Sequence, residues 1–113
     1  MLNRFFVTGY TGKDLKKSIQ GEKSYMYFNV GSKRDYKNTE GQYDTDWISF
    51  VAYDSLADLL DGVEKGTLLT IEGRITSFDK VENGKVKQHQ SLVAKKVDFL
   101  SPKTNNQPKG AQE

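Results

Sequence analysis

The stretch TDWISFVAYD, residues 45–54, is rich in β-branched and aromatic residues and predicts a β-strand. Successive side chains of a strand point to opposite faces, so the apolar even-numbered positions from 48 to 52 form one face suited to a core. The other face begins with Trp47 and ends with Tyr53, with Val51 between them. A small polar chain therefore carries a second face with two large rings on one strand.

Segments on both sides of this strand carry further secondary-structure signals. Leucines at helical spacing follow the strand, and Asp54-Ser55 before them predicts a side-chain N-cap. The helix is predicted to end near Lys65-Gly66, and Asn83-Gly84 predicts a two-residue hairpin turn. The five predicted strands cover residues 2–9, 25–32, 45–54, 67–78 and 86–100.

Glycines and polar segments mark the expected interruptions. Gly9 and Gly12 predict a turn after the first strand, followed by a basic, irregular connection over residues 13–21. Gly73 lies on the apolar face of the fourth predicted strand, which indicates a bulge or a sharp bend. Residues 33–44 are polar and predict a loop.

The order of elements is three strands, one helix and two strands. This order predicts an all-β protein with one short helix, folded as a five-stranded OB-fold Greek-key barrel with the helix between strands 3 and 4. Barrels of this type bind oligonucleotides. A small α+β sandwich with the same order is the alternative. We expect one domain over residues 1–102 and a disordered polar tail over residues 103–113.

Composition excludes several classes of site and leaves the partner open. The chain of 113 residues has no cysteine, so it has neither a disulfide framework nor a thiolate metal site. Its net charge is only +2, so local clustering must carry any case for an anionic partner. His89 is the sole histidine and is expected at the surface or in an interface. We expect no cofactor, no metal, no membrane segment, no signal peptide and no enzymatic activity, and we expect a cytoplasmic protein.

Short motifs in the correct order give the chain a more specific resemblance. It resembles the bacterial and phage single-stranded DNA-binding protein family over about residues 2 to 103. The resemblance implies an OB domain that assembles, usually as a homotetramer, and wraps single-stranded DNA without strong sequence preference. The motifs are Thr45-Asp46-Trp47-Ile48, Leu56-Ala57-Asp58, Lys65-Gly66, Ile71-Glu72-Gly73-Arg74-Ile75, Leu92-Val93-Ala94, Val97 and Phe99-Leu100-Ser101-Pro102-Lys103.

Exposed aromatic rings are the first half of the expected DNA site, because every base has a face on which a ring can stack. Trp47 and Tyr53 would form two stacking positions about 20 Å apart, from six steps of about 3.3 Å. Relatives carry base-contacting aromatics at the positions of Trp47 and Tyr53. The alternative is that Trp47 packs over a barrel end or in a subunit interface. The expected stacking residues are Trp47, Tyr53, Tyr36 and Phe78.

The second half of the expected DNA site consists of basic residues interleaved with aromatics on two loops. Phosphates require cations along the path of the DNA strand. Relatives carry a basic residue and an aromatic at Arg34 and Tyr36, and many place an arginine after the glycine at Gly73. Lys16-Lys17 and Lys95-Lys96 are weaker candidates and are left out of the expected set. The expected phosphate contacts are Lys33, Arg34, Lys37, Arg74, Lys80, Lys85 and Lys87.

Two features depart from the family pattern. Many relatives carry an aromatic about two positions beyond Phe78, where this chain has Lys80, so either Phe78 takes over the stacking or that position is missing. Chromosomal relatives end in a short acidic peptide with a terminal phenylalanine, whereas this chain ends NNQPKGAQE. We therefore do not expect partner recruitment through such a peptide; a phage or other mobile element is a suitable source.

Two other functions remain open. One is an accessory OB protein of replication or recombination that binds DNA but mainly bridges other proteins. The other is an assembly module whose exposed aromatics lie in interfaces and contact no nucleic acid. Apolar strand residues exceed the capacity of one small barrel, which predicts a homotetramer, with a dimer as the alternative, formed partly by pairing of the first strand. These residues are Leu2, Phe5, Phe6, Val7, Tyr25 and Tyr27.

Overall fold

The computed structural model describes residues 1–101 and contains six strands and one helix. The expected tail, residues 103–113, lies outside the described residues. No helix within residues 1–101 has the length and apolar character needed to cross a membrane. The elements are β1 Phe5–Thr11, β2 Ser18–Gln20, β3 Lys23–Lys37, β4 Tyr43–Tyr53, α1 Asp54–Leu60, β5 Leu68–Glu82 and β6 Lys85–Phe99.

Five of the strands close into a barrel. β1 pairs antiparallel with β5 along its length and with β3 through Tyr10–Gly31 and Thr11–Val30. β3 continues to β4, β4 meets β6 in parallel, and β6 returns to β5. This confirms the predicted all-β barrel with one short helix. The helix position differs slightly from the prediction, because the short strand β2 adds to the edge of β3 and places α1 between the fourth and fifth strands.

The barrel core is built around a stack of phenylalanine rings. The ring of Phe50 lies 5.5 Å from those of Phe5 and Phe28, measured between ring centroids, and is 2% exposed. Phe5 and Val7 pack against this core, so the prediction that they are surplus apolar residues was wrong. Burying one such phenylalanine contributes about 1.5–3 kcal/mol to folding.

Helix α1 covers one part of the core with Ala57 and Leu60. The predicted side-chain N-cap was wrong: Tyr53 is the N-cap and makes no capping hydrogen bond from its side chain. Asp54 instead has a positive φ of 53°, a conformation that Asp tolerates better than most residues. The helix ends at Leu60, earlier than predicted, because Asp61 is extended and Gly62 has a φ of 87°.

Two glycines allow backbone segments to approach closely. A Cβ atom on Gly9 would lie 2.2 Å from the carbonyl oxygen of Gly31, where β1 meets β3. Gly9 therefore lies within β1 and does not form the predicted turn. A Cβ atom on Gly73 would lie 1.9 Å from the carbonyl oxygen of Val93. The predicted bulge at Gly73 is confirmed by a register shift between Glu72 and Gly73.

Two hairpin arms continue past the barrel. β5 and β6 pair from Leu69–Phe99 to Glu82–Lys85, whereas β1 pairs with β5 only as far as Gly73. The arm turns at Asn83 and Gly84, whose positive φ values match a type I′ turn and confirm the predicted hairpin. The second arm joins β3 to β4.

Candidate nucleic-acid interface

The outer face of β3 and β4 carries a row of exposed aromatic and polar side chains. Residues directly opposite each other in an antiparallel pair share a face. Trp47 and Tyr53 therefore lie on one face, as predicted, and are 59% and 50% exposed. Val51 was predicted on this exposed face but is buried, because it pairs with Val93 where β4 and β6 close the barrel. The opposed pairs are Gly31–Trp47, Asn29–Ser49, Tyr27–Val51 and Tyr25–Tyr53.

The ring of Trp47 rests on glycine backbone. A Cβ atom on Gly12 or on Gly31 would lie 2.8 Å from atoms of the ring, so a side chain at either position would displace it. Ser49, two positions along the same face, hydrogen-bonds through its hydroxyl group to the side-chain oxygen of Asn29 at 2.8 Å. The glycines seat the indole against the sheet while more than half of Trp47 stays accessible.

Tyr27 is an exposed aromatic residue that the sequence analysis did not assign to the DNA site. It is 73% exposed, and its ring makes an edge contact with that of Tyr25 at 5.7 Å between centroids. The alternation of β3 predicts both tyrosines on one face. The sequence analysis counted them among the apolar residues that exceed the capacity of one barrel. The missing information was the pairing partner, because only the register places this face beside Trp47 and Tyr53.

The arm formed by β3 and β4 presents a cluster of two lysines and one tyrosine. The ammonium groups of Lys33 and Lys37 lie 5.9 and 5.7 Å from the ring centroid of Tyr43, within cation–π range. Tyr43 is 47% exposed and lies four residues before Trp47, on the same face of β4. Sequence reasoning missed Tyr43, although its spacing from Trp47 was a usable signal.

Arg34 is separated from this cluster by the alternation of the strands. Arg34 is held by Asp46. Asp46 pairs with Ser32, which lies between Gly31 and Lys33 in β3, so Asp46 lies on the face opposite that of Trp47. Arg34 donates hydrogen bonds to Asp46 from Nε at 3.1 Å and from Nη2 at 2.9 Å. These bonds raise the pKa of Arg34 and lower that of Asp46.

Further contacts of Arg34 complete this side of the arm. Asp44 lies 3.8 Å from Arg34, and the guanidinium group lies 5.8 Å from the ring centroid of Tyr36, which is 61% exposed. Two carboxylates therefore surround one guanidinium group. Arg34 and Tyr36 are neighbours, as expected, but the charge of Arg34 is compensated.

The arm formed by β5 and β6 carries the second predicted cluster on one face. Phe78 stacks on His89, opposite it, at 5.6 Å between ring centroids. Lys80 is opposite Lys87, and Lys85 is opposite Glu82. Glu82 lies 4.0 Å from Lys87 and 3.0 Å from Nε2 of His89, so part of the positive charge is compensated. Arg74 is exposed on the same strand, after the glycine.

A cleft of about 490 Å³ lies between β4 and the β5–β6 arm. It brings Trp47 and Phe78, two predicted stacking residues from distant parts of the chain, to one surface. Tyr27 and the polar residues Ser49 and Gln90 also line it. We call it the Trp47 cleft. Its mixture of rings and short polar side chains suits bases, which have both faces for stacking and edges for hydrogen bonding.

Residues 1–101 contain no group of three or more His, Asp or Glu side chains placed to hold a metal ion. On the β3–β4 arm, Arg34 forms an ion pair with Asp46, and Lys33 contacts the ring of Tyr43. The side chains described at this surface can stack, form hydrogen bonds and attract anions.

The profile of the Single-strand binding protein family matches residues 2–100. The chain belongs to this family. It is 31% identical over 110 residues to Single-stranded DNA-binding protein 2 of Staphylococcus aureus (strain COL), covering 94% of this chain and 78% of that protein. It is 26% identical over 107 residues to the Single-stranded DNA-binding protein of Staphylococcus epidermidis, covering 94% and 82% of the two chains.

Solved structures of this family share the fold. The Plasmodium falciparum SSB in complex with ssDNA superposes with a TM-score of 0.73 and 22% identity, covering 89% of this chain and 96% of that one. The single-stranded DNA binding protein from Thermus aquaticus superposes with a TM-score of 0.73 and 19% identity, over 88% of this chain and 50% of that one. The resemblance noted in the sequence is therefore confirmed at the level of family and fold.

Proposed function

We propose that this member of the single-strand binding protein family binds and protects single-stranded DNA in replication and recombination, without strong sequence preference. The observation that carries the proposal is Trp47, seated on two glycines at a cleft that it shares with Phe78. Stacking on such rings contributes about 1–3 kcal/mol per base and tolerates any base. The protein acts by binding and has no catalytic role.

Phosphate contacts come from the two arms in this proposal. Lys33 and Lys37 lie beside Tyr43 on one arm. On the other arm Lys80 lies two residues beyond Phe78, and Lys85 lies closer to the turn, opposite Glu82. Neither Lys80 nor Lys85 forms an ion pair with another residue in the range 1–101, so their charges remain available to an anion. Lys87 and Arg34 contribute less, because carboxylates already contact them.

We further propose that the protein assembles as a homotetramer, with a dimer as the alternative. Phe6 on β1 is 64% exposed, and β1 pairs with β3 only through Tyr10 and Thr11. Residues 5–8 thus have one neighbouring strand, β5, and an open edge on the other side. A second copy could pair with that edge. We also assign the protein to the cytoplasm, because the proposed ligand is single-stranded DNA formed during replication.

Titration with poly-dT while following tryptophan emission tests the function directly, because Trp47 is the only tryptophan of the chain. Strong quenching with a large site size is the expected result. Weak quenching with a small site would instead favour an accessory protein that bridges other proteins. No response would favour an assembly module without a nucleic-acid role. Light scattering at micromolar concentration that showed a monomer would contradict the proposed assembly.

A further inference from the structure

A second cleft, of about 760 Å³, lies at the Tyr53 end of the same outer face. We call it the Lys95 cleft. Tyr25 and Tyr53, which are opposite each other on β3 and β4, form its aromatic wall. Its complete lining is Gln20, Lys23, Ser24, Tyr25, Tyr27, Tyr53, Asp54 and Lys95. None of the basic residues here belonged to the expected phosphate contacts.

Lys95 reaches this cleft through the bulge in β6. Glu72 pairs with Lys96, and the next residue, Gly73, pairs with Ala94, so Lys95 is the extra residue without a partner in β5. A bulge redirects a side chain out of the regular alternation of the strand. Lys95 is exposed and lies beside Tyr53, whereas its neighbour Lys96 stays in register and does not line the cleft.

The short hairpin of β2 and β3 forms the other wall. Gln20 pairs with Lys23 across a two-residue turn at Gly21, whose φ is 64°. Ser24 fixes this wall to the helix, because its hydroxyl group lies 3.2 Å from the carbonyl oxygen of Asp54 and 3.0 Å from a carboxylate oxygen of Asp58. Lys23 precedes Ser24 on this wall and also lines the cleft.

Tyr27 connects the two clefts. It lines both the Trp47 cleft and the Lys95 cleft, and it is the most exposed ring of the outer face at 73%. Its edge contact with Tyr25 supports one side of the ring. A ligand that follows β4 from Trp47 towards Tyr53 must therefore pass Tyr27.

From this geometry we infer that single-stranded DNA leaves the Trp47 cleft, stacks a base on Tyr27 and enters the Lys95 cleft, where Lys23 and Lys95 bind phosphate and Tyr53 stacks a further base. The inference rests on the proposed function and extends it. Two lysines and one aspartate line the Lys95 cleft, an excess of positive charge that suits a polyanion. The alternative occupant is a second copy of the chain, which would have to bury both lysines.

Variants of the full chain test the path. Lys95→Ala should flatten the slope of log affinity against log salt by about 0.7 for (dT)16, whereas the neighbouring Lys96→Ala is the matched control and should change it less. Tyr27→Ala should weaken (dT)16 about five- to 150-fold, and Tyr27→Phe should restore most of that loss. Lys95→Ala should not change the affinity for (dT)4 that quenches Trp47, because Lys95 does not line the Trp47 cleft and roughly 4 nucleotides is the small end of OB-fold sites.

The outcomes separate the path from the function. If the wild type binds neither oligonucleotide, the proposed function fails. If the wild type binds both but Lys95→Ala equals Lys96→Ala and Tyr27→Ala has no effect, the second cleft lies off the path and the inference is overturned. Equal losses on (dT)4 and (dT)16 for Lys95→Ala would also overturn it. A smaller particle by light scattering for Tyr27→Ala, with the affinity lost only through dissociation, would assign this face to contacts between copies.

Discussion

Arg34 and Asp46 form a two-point ion pair on the β3–β4 arm, with Nη2 of Arg34 2.9 Å from one carboxylate oxygen and Nε 3.1 Å from the other. This fork geometry is the strongest form of arginine–carboxylate contact. It lies one residue from Trp47 but on the opposite face of the strand. Arg34 is therefore occupied by a carboxylate at the edge of the proposed DNA path, and Asp46 limits its contribution to phosphate binding.

Replacing Asp46 with Asn should remove the two-point ion pair and leave Arg34 with the longer contact to Asp44, at 3.8 Å. We expect Asp46→Asn to tighten binding of poly-dT and to steepen the slope of log affinity against log salt by up to about 0.7, one additional phosphate contact. Asp35→Asn removes the same charge from the same arm without touching Arg34, so it controls for net charge. If both variants change the slope equally, the ion pair has no specific role. Adding Arg34→Ala to Asp46→Asn should abolish the gain.

The same pair makes a pH-dependent contribution to folding. Hydrogen bonds from Arg34 lower the pKa of Asp46 below its ordinary value of 3.8. A lowered carboxyl pKa stabilises the folded state above the ordinary value, and the contribution is lost as the pH falls through the lowered value. The contribution is small, since the pair is exposed. Urea midpoints of wild type and Asp46→Asn should therefore differ slightly at neutral pH and converge in acid; a constant difference would contradict the linkage.

Trp47 should affect binding far more than stability. Trp47→Ala should cost about 1–3 kcal/mol of binding to poly-dT, and Trp47→Phe should recover much of it because the smaller ring still stacks. The melting temperature and the light-scattering mass should change little, since 59% of the residue is exposed. A variant that melts early or dissociates, yet binds normally while folded and assembled, would show that the ring serves packing or assembly.

Gly12 offers an indirect test of the seat beneath Trp47. The three atoms nearest to a Cβ atom there would all belong to the indole, at 2.8 to 3.5 Å, so we expect Gly12→Ala to displace the ring first. We expect weaker binding of poly-dT and altered tryptophan emission with little loss of stability. The loss of affinity should vanish when Gly12→Ala is added to Trp47→Ala, because coupled residues are non-additive. Additive losses would show that Gly12 acts elsewhere.

Lys33 and Lys37 should behave differently from Arg34, although all three were predicted as one group. Each lysine lies within cation–π range of the ring of Tyr43 and on the Trp47 face. Lys33→Ala and Lys37→Ala should each flatten the salt slope by about 0.7, and Arg34→Ala should have a smaller effect. Lys17→Ala is the control, because Asp58 already lies 2.9 Å from that ammonium group. A slope equally insensitive to all four changes would remove the β3–β4 arm from the DNA path.

Local features of the chain were enough to predict the barrel and the position of Trp47. Alternation over residues 45–54 separates the core face from the ring-bearing face, and only Val51 was misassigned. Asn83-Gly84 specified its own turn, since both residues adopt positive φ. Gly73 marked the bulge. These features depend on neighbours in the sequence, so the sequence by itself determined them.

The tertiary structure alone decided which side chains work together. The sequence predicted Arg34 as a phosphate contact, but the pairing of β3 with β4 brings Asp46 within hydrogen-bond distance of it. It treated Gly9 as part of a turn, whereas the glycine allows β1 to cross β3. It set Lys95 aside beside Lys96, and only the bulge distinguishes the two lysines. Pairing between distant strands has no local signature, because a shift of one residue would move every side chain to the opposite face.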